Sequence, residues 1–339
     1  MDYIIANKEW IFSGIGIFIV GGIISFFKKK SSVKPINNKY QDGNNNIQTD
    51  GTVTINNTTH VYEKKESEKK SPLIELENKF YSIFEYHGVS RLQIPSFIDK
   101  KFNIEYSDIV DENSIIPKLN EDLLSWVSLK FGIKRSWFDE KDEISSSRYM
   151  YDSIDCYKYT GEFISLLSKL IDEYPVYAYK KYIEVYFLKT FKEFKGDSSG
   201  EGGVADVLVI VSVKIGNTTT NSVNKYILIT PHLRWDYWKS RHDIKRMIRI
   251  ADKLDITTMG YDISESEYCE ISSREVVPRA ILNRKRMTWY PEDYDGSFND
   301  RIDEIEYEHS KSFQDSLRSI DDKIYEMLEE KRQQFKQKI

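Results

Sequence analysis

At 339 residues, with 40% hydrophobic and 30% charged side chains, the chain has room for about two domains. Its 23 Tyr, 17 Phe and 6 Trp supply enough bulky surface for folded cores, which excludes a disordered tail. The net charge of −5 argues against a chain-wide nucleic-acid footprint and leaves only local basic patches.

The run Trp10–Phe27, WIFSGIGIFIVGGIISFF, contains no charge. At about 18 residues it reaches the lower limit for crossing a bilayer core. Lys28, Lys29 and Lys30 follow it, whereas Lys8 stands with Asp2 and Glu9 before it. That asymmetry predicts an uncleaved transmembrane anchor within residues 1–30. It meets the membrane through residues 11–27, with the N-terminus outside and the body in the cytoplasm. A signal peptide would carry its charge in front and a small-residue cleavage site behind. Gly21 and Ser25 form a small-xxx-small pair, which allows self-association in the membrane.

Residues 31–71 form a polar linker rich in Asn and Gly. Ile47, Val53 and Ile55 around the Asp50-Gly51 turn read either as a short hairpin or as a flexible spacer. The stretch resembles the Asn/Gly-rich segments of bacterial membrane-tethered proteins, which implies the bacterial inner membrane.

From Pro72 helical spacing begins, with Leu73, Leu76, Phe80 and Phe84 on one face and a stop at His87-Gly88. Ser90 is placed to cap a second helix in VSRLQIPSFI. Asn120 or Glu121 opens a third helix, which Gly132 closes, and Ile133, Trp137 and Phe138 pack back. GVSRLQIPSF followed by LLSWVSLKFGIKRSWFDE resembles the second half of a Cro/lambda-repressor-like helix-turn-helix domain. Gly88, Val89, Ser90, Ile94, Leu124, Phe131, Gly132, Ile133, Trp137 and Phe138 carry the likeness. It implies a helix-turn-helix-like helical domain over residues 72–140. Arg91 and Gln93 would read bases, and Lys100 and Lys101 would hold the DNA backbone. The family's first helix pair is not evident, Pro95 interrupts the reading helix, and acidic residues outnumber basic ones across the segment. Both DNA reading and a repurposed protein-interaction role therefore stay open, with nucleic acid the less favoured partner.

Residues 141–297 read as an α+β domain. A helix carries Phe163, Leu167 and Leu170, and an antiparallel meander comes next in YIEVYFLKTF, VADVLVIVSVKI and NKYILITP. The second of these is almost wholly apolar, as a strand buried on both faces is. The helix WDYWKSRHDIKRMIRIADKLDI buries Ile244, Met247, Ile248 and Ala251. Its cations Arg241, Lys245, Arg246 and Arg249 are expected in water, where they offer an anion-binding surface. A strand in ITTMGYDI and a Ser264-capped helix come after it. Residues 298–339 form a C-terminal amphipathic helix with Phe313, Leu317, Ile320 and Ile324 in one stripe. That stripe suits either a coiled coil or its own body.

Catalytic patterns are weak. Asp206, Lys214 and Glu184 approximate a nuclease set, but Ser212 stands where a glutamate belongs. The loop GDSSGEGG lacks the lysine of a phosphate loop. Cys156 and Cys269 make neither a disulfide framework nor a zinc site, and the 5 histidines are scattered. No cofactor and no metal is expected. The fold class is α+β: an anchor, a helical segment, an antiparallel-sheet body and a long C-terminal helix. The function expected is a membrane-anchored, cytoplasm-facing, non-enzymatic sensor or adaptor with a protein partner or self-association. Stress or anti-phage signalling is its setting by analogy alone. A tethered DNA-binding regulator and a nuclease-like enzyme are the alternatives.

Overall fold

The computed structural model describes residues 71–139, 150–174, 178–191, 205–296 and 310–338. All of them belong to one compact unit, Glu66–Ile339. The expected anchor and the polar linker up to residue 70 lie outside the described residues. Among the described residues no helix is long and apolar enough to cross a membrane.

Helix α1 (Pro72–Tyr86) has proline in its first turn, where a missing N–H costs nothing. Phe80, Ile83 and Phe84 are fully buried, while Leu73, placed by spacing on the same stripe, stays exposed. The chain turns at Gly88 with φ +83°, and a Cβ there would strike the Arg279 guanidinium at 2.4 Å. Ser90 then opens a 3-10 turn (Arg91–Gln93) that runs into α2 (Ile94–Phe97), only four residues long. After α3 (Ser107–Val110), α4 (Glu121–Phe131) is capped by Asn120, whose Oδ1 accepts the Leu123 N–H at 3.0 Å. Gly132 closes it in the left-handed region, at φ +72°. Helix α5 (Ser136–Asp139) ends the segment. Where the repressor-like resemblance calls for a DNA-reading helix, the chain has one 3-10 turn and one α turn.

In chain order the rest comprises β1 (Ser153–Ile154), α6 (Thr160–Asp172), β2 (Ile183–Thr190), β3 (Asp206–Asn217), β4 (Ser222–Arg234) and α7 (Trp238–Lys253). It continues with β5 (Thr257–Ile263), α8 (Glu265–Ser272), α9 (Arg279–Leu282), β6 (Thr288–Trp289) and α10 (Ser310–Lys338). Among the described residues six strands form one sheet, in the order β1-β4-β3-β2-β5-β6. The expected meander is present as β2-β3-β4, all antiparallel. The sheet as a whole is mixed, which corrects the antiparallel expectation: β5 runs parallel to β2, and β1 parallel to β4. The reason is α7, which carries the chain back across the sheet before β5 enters beside β2.

Each sheet face has its own helical layer. Leu188, Leu208, Ile210 and Leu228 pack with Phe84, Phe131 and Val127 of the N-terminal helices and with Ile271 and Ile281 of α8 and α9. Val185, Phe187, Val207, Val209 and Val211 pack with Phe163 of α6, Met247 and Ile248 of α7, and Ile320 and Ile324 of α10. Segment 72–139 thus shares a core with the sheet. The amphipathic stripe of α10 lies on the protein's own α7, where Phe313 stacks on His242 at 4.0 Å. Arg249 also donates to both carboxylate oxygens of Asp321, at 2.8 and 2.6 Å.

His87 sits in this core with its ring 4.5 Å from that of Phe131 and its Nδ1 2.7 Å from the Ile83 carbonyl. Burial lowers its pKa to about 4, and the nearby Arg279 charge acts in the same direction. The unfolded chain takes up a proton near pH 6.5 that the folded chain refuses, so stability falls as pH drops from 6.5 toward 4. Urea unfolding should show about 2 kcal/mol lost between about pH 7.5 and about pH 5 through this group. His87→Phe should remove that part of the pH dependence.

Candidate functional site

The sheet's regularity breaks near the C-terminal end of β4. Val209 pairs with Ile229 and Val207 with Leu233, so Thr230, Pro231 and His232 stand opposite the single residue Leu208. This is a bulge with two extra residues, and its backbone is strained. Thr230 has φ +30° and His232 φ +74°. A β-branched residue at positive φ is costly, and more so before proline, which favours an extended predecessor. Such strain persists only where neighbouring structure holds it, and it gathers at binding sites.

The neighbours that hold it are identifiable. β1 pairs with Leu228 and Ile229 just before the bulge, which brings Asp155, Cys156 and Tyr157 alongside. The Cys156 N–H donates to Thr230 Oγ1 at 2.6 Å, and that hydroxyl donates to Asp155 Oδ1 at 3.2 Å. The Tyr157 N–H also donates to Asp155 Oδ1, at 2.9 Å. Lys158, at φ +63°, gives its N–H to Asp243 Oδ2 of α7 at 2.9 Å. On the far side the Arg234 N–H donates to Ser240 Oγ at 2.8 Å, fastening the first turn of α7 to the strand.

Together these segments enclose a cleft of about 660 Å³, lined by Asp155, Tyr157, Thr230, His232, Arg234 and Tyr237 among others. The volume suits a small molecule. Arg234 is paired with Asp236 at 2.7 Å, and His232 Nδ1 lies 3.3 Å from the Tyr268 hydroxyl. Asp155 forms no ion pair among the described residues, so its carboxylate is the charge left for a guest. Burial pushes the Tyr268 hydroxyl above its ordinary range and lifts Asp243, against the pull of Lys158 and Arg246. Burial pushes the Cys156 thiol up to about 12, which leaves it a poor nucleophile.

The residues singled out from sequence lie elsewhere. Arg91 places its guanidinium 3.7 Å from the Tyr81 ring and 3.6 Å from Glu77. Gln93 accepts the Ser90 N–H at 3.0 Å and donates to Thr219 of the β3–β4 hairpin at 3.0 Å. Lys100 and Lys101 sit exposed in a separate 3-10 turn, with Lys101 over Phe102.

Arg241, Lys245, Arg246 and Arg249 of α7 are buried or half-buried, which corrects the expectation that they stand in water. Arg241 is 2% exposed and Lys245 1%, with the Trp235 segment against them: the Lys245 ammonium lies 5.8 Å from the Trp235 ring. Arg241 donates to the Trp235 carbonyl at 2.7 Å, and Arg246 binds Asp243 at 3.0 Å. Arg249 is held by Asp321 and by Asp295. Asp206 and Lys214 stand toward opposite ends of β3, roughly 27 Å apart at strand rise, and Glu184 pairs in register with Ser212. The nuclease set is therefore not assembled. The GDSSGEGG loop, His60 and His309 lie outside the described residues. Among the described residues no group of His, Cys, Asp and Glu could hold a metal.

The cleft residues Asp155, Thr230 and His232 belong to no sequence motif. One signal was available: Pro231 at the end of the strand NKYILITP, since proline inside a sheet marks an edge or a bulge. Compared with known proteins, the chain matches no family model, no curated protein and no solved structure.

Glycine at position 232 would relieve the left-handed strain, and the exposed imidazole contributes little packing. His232→Gly is expected to hold or raise unfolding stability by about 0.5–1 kcal/mol in urea titration. A loss above about 1 kcal/mol would mean the bulge is not under strain.

Proposed function

We propose that the chain is a membrane-anchored, cytoplasm-facing sensor or adaptor without chemistry of its own. Its body reads a small polar ligand in the cleft at the β4 bulge. The observation that carries this reading is the strained pair Thr230 and His232, held beside the Asp155 carboxylate, which no cation among the described residues pairs. Strain at a concave polar site is the mark of a preformed binding surface. An amino or amide donor on the guest would meet Asp155, with Tyr157 and Tyr237 as flanking walls.

Binding is favoured over catalysis because the two cleft serines serve the frame as hydrogen-bond acceptors. Ser240 accepts the Arg234 N–H, and Ser153 Oγ lies 3.3 Å from Arg274. The DNA-regulator alternative loses support because Arg91 and Gln93 make their contacts within the chain. The anchor rests on the uncharged Trp10–Phe27 run and the lysines after it.

Two measurements test the proposal. In cell fractionation the full chain should stay with membranes through alkaline carbonate washing, and deletion of residues 10–27 should release it. Release of the full chain by carbonate would end the anchored reading. Separately, the dialysable fraction of a host-cell extract should raise the unfolding temperature of the full chain but not of Asp155→Asn. No shift, or the same shift in both, would end the sensor reading.

A further inference from the structure

A second concavity lies toward the other end of β4, roughly 17–23 Å along the strand from the bulge at strand rise. It is bounded by the last turn of α4, the base of the β3–β4 hairpin and the residues Tyr174, Ala178 and Tyr182. Its volume is about 500 Å³. Lys130, Lys214 and Lys225 all line it, and Glu173 is the acidic residue among the described lining.

Three observations separate this group from ordinary solvated lysines. Among the described residues none of the three meets a carboxylate within ion-pair reach, whereas Arg246 and Arg249 of α7 and Arg286 do. Two are held over rings: the Lys130 ammonium lies 5.8 Å from the Phe97 ring and that of Lys214 5.9 Å from the Tyr182 ring. Lys130 is half-buried, and burial together with the charge of Lys225 lowers its pKa. The charges of Lys130 and Lys225 repel each other in this partly dry hollow, and an anion seated between them would remove that penalty.

The wall is aromatic. Tyr174 and Tyr182 stack at 4.8 Å and 9°, and the Tyr174 hydroxyl donates to the Lys214 carbonyl at 3.1 Å, which fixes the pair against β3. Cations beside a fixed planar face match a ligand that joins phosphate to a flat ring.

We propose that this hollow is a binding site for a phosphorylated small molecule of nucleotide size, with phosphate on Lys130, Lys214 and Lys225 and the planar part against the tyrosine pair. It is separate from the bulge cleft and stands whether or not that cleft binds a ligand. It also differs from the α7 cations expected from sequence to bind anions.

The test is calorimetric titration of the full chain with ATP and, separately, inorganic pyrophosphate. ATP should bind one to one and more tightly than pyrophosphate. Lys130→Met and Lys225→Met should each weaken it by about tenfold, as loss of a charge contact does, and Lys225→Arg should restore it. Raising salt from about 0.05 M to about 0.3 M should weaken it further. Lys253→Met, an exposed lysine on α7, should change nothing, and unfolding temperatures will show whether each variant is folded. No binding of either probe at low salt would overturn the proposal. So would ATP binding that folded Lys130→Met and Lys225→Met leave unchanged.

Discussion

A strand with no solvent face organises this protein. From Val207 to Val213 every side chain of β3 is buried, on both sides of the sheet. Such a strand cannot be left half-covered, because each exposed valine or isoleucine would forgo about 1.5–3 kcal/mol of burial. The chain therefore needs one helical layer per face. The N-terminal helices with α8 and α9 supply one, and α6, α7 and α10 supply the other. Helices that look like a small autonomous module in sequence thus serve as one side of a sandwich.

The same constraint explains where irregularity is tolerated. In the middle of β4, Leu228 and Ile229 are locked between β1 and β3. The bulge at Thr230–His232 and the register shift between Lys214 and Gly216 lie outside that locked stretch. Concavities form at these two places because pairing loosens there and polar side chains can converge. A rigid centre with shaped ends is a common arrangement for binding proteins, since the centre fixes the geometry that the ends present.

Much of the framework was legible in local chemistry. Asn120 and Gly132 bracket α4 because a side-chain cap and a left-handed glycine act within a few residues. The meander could be read because β2 alternates and β3 is uniformly apolar. What escaped depends on distant contacts. Arg246 and Arg249 are engaged by α10, which docks on α7 from about 70 residues away, as the Arg246–Ser316 and Arg249–Asp321 contacts show. The mixed sheet arises from how α7 returns the chain, and β1 is two residues long, too short to leave a pattern. Neither cleft could be assembled from sequence. Asp155 and Thr230 meet across 75 positions, and Lys130, Lys214 and Lys225 come from three separate elements or turns.

Amide hydrogen exchange on the full chain in mild denaturant tests most directly whether residues 72–139 form a layer of the body. One cooperative core predicts that the slowest amides of α1 and α4 open with the same free energy as those of β3, in a single global event. Opening of α1 and α4 well below that free energy, with β3 still protected, would contradict it. That outcome would make the helical segment a separate module, as the repressor-like resemblance implies.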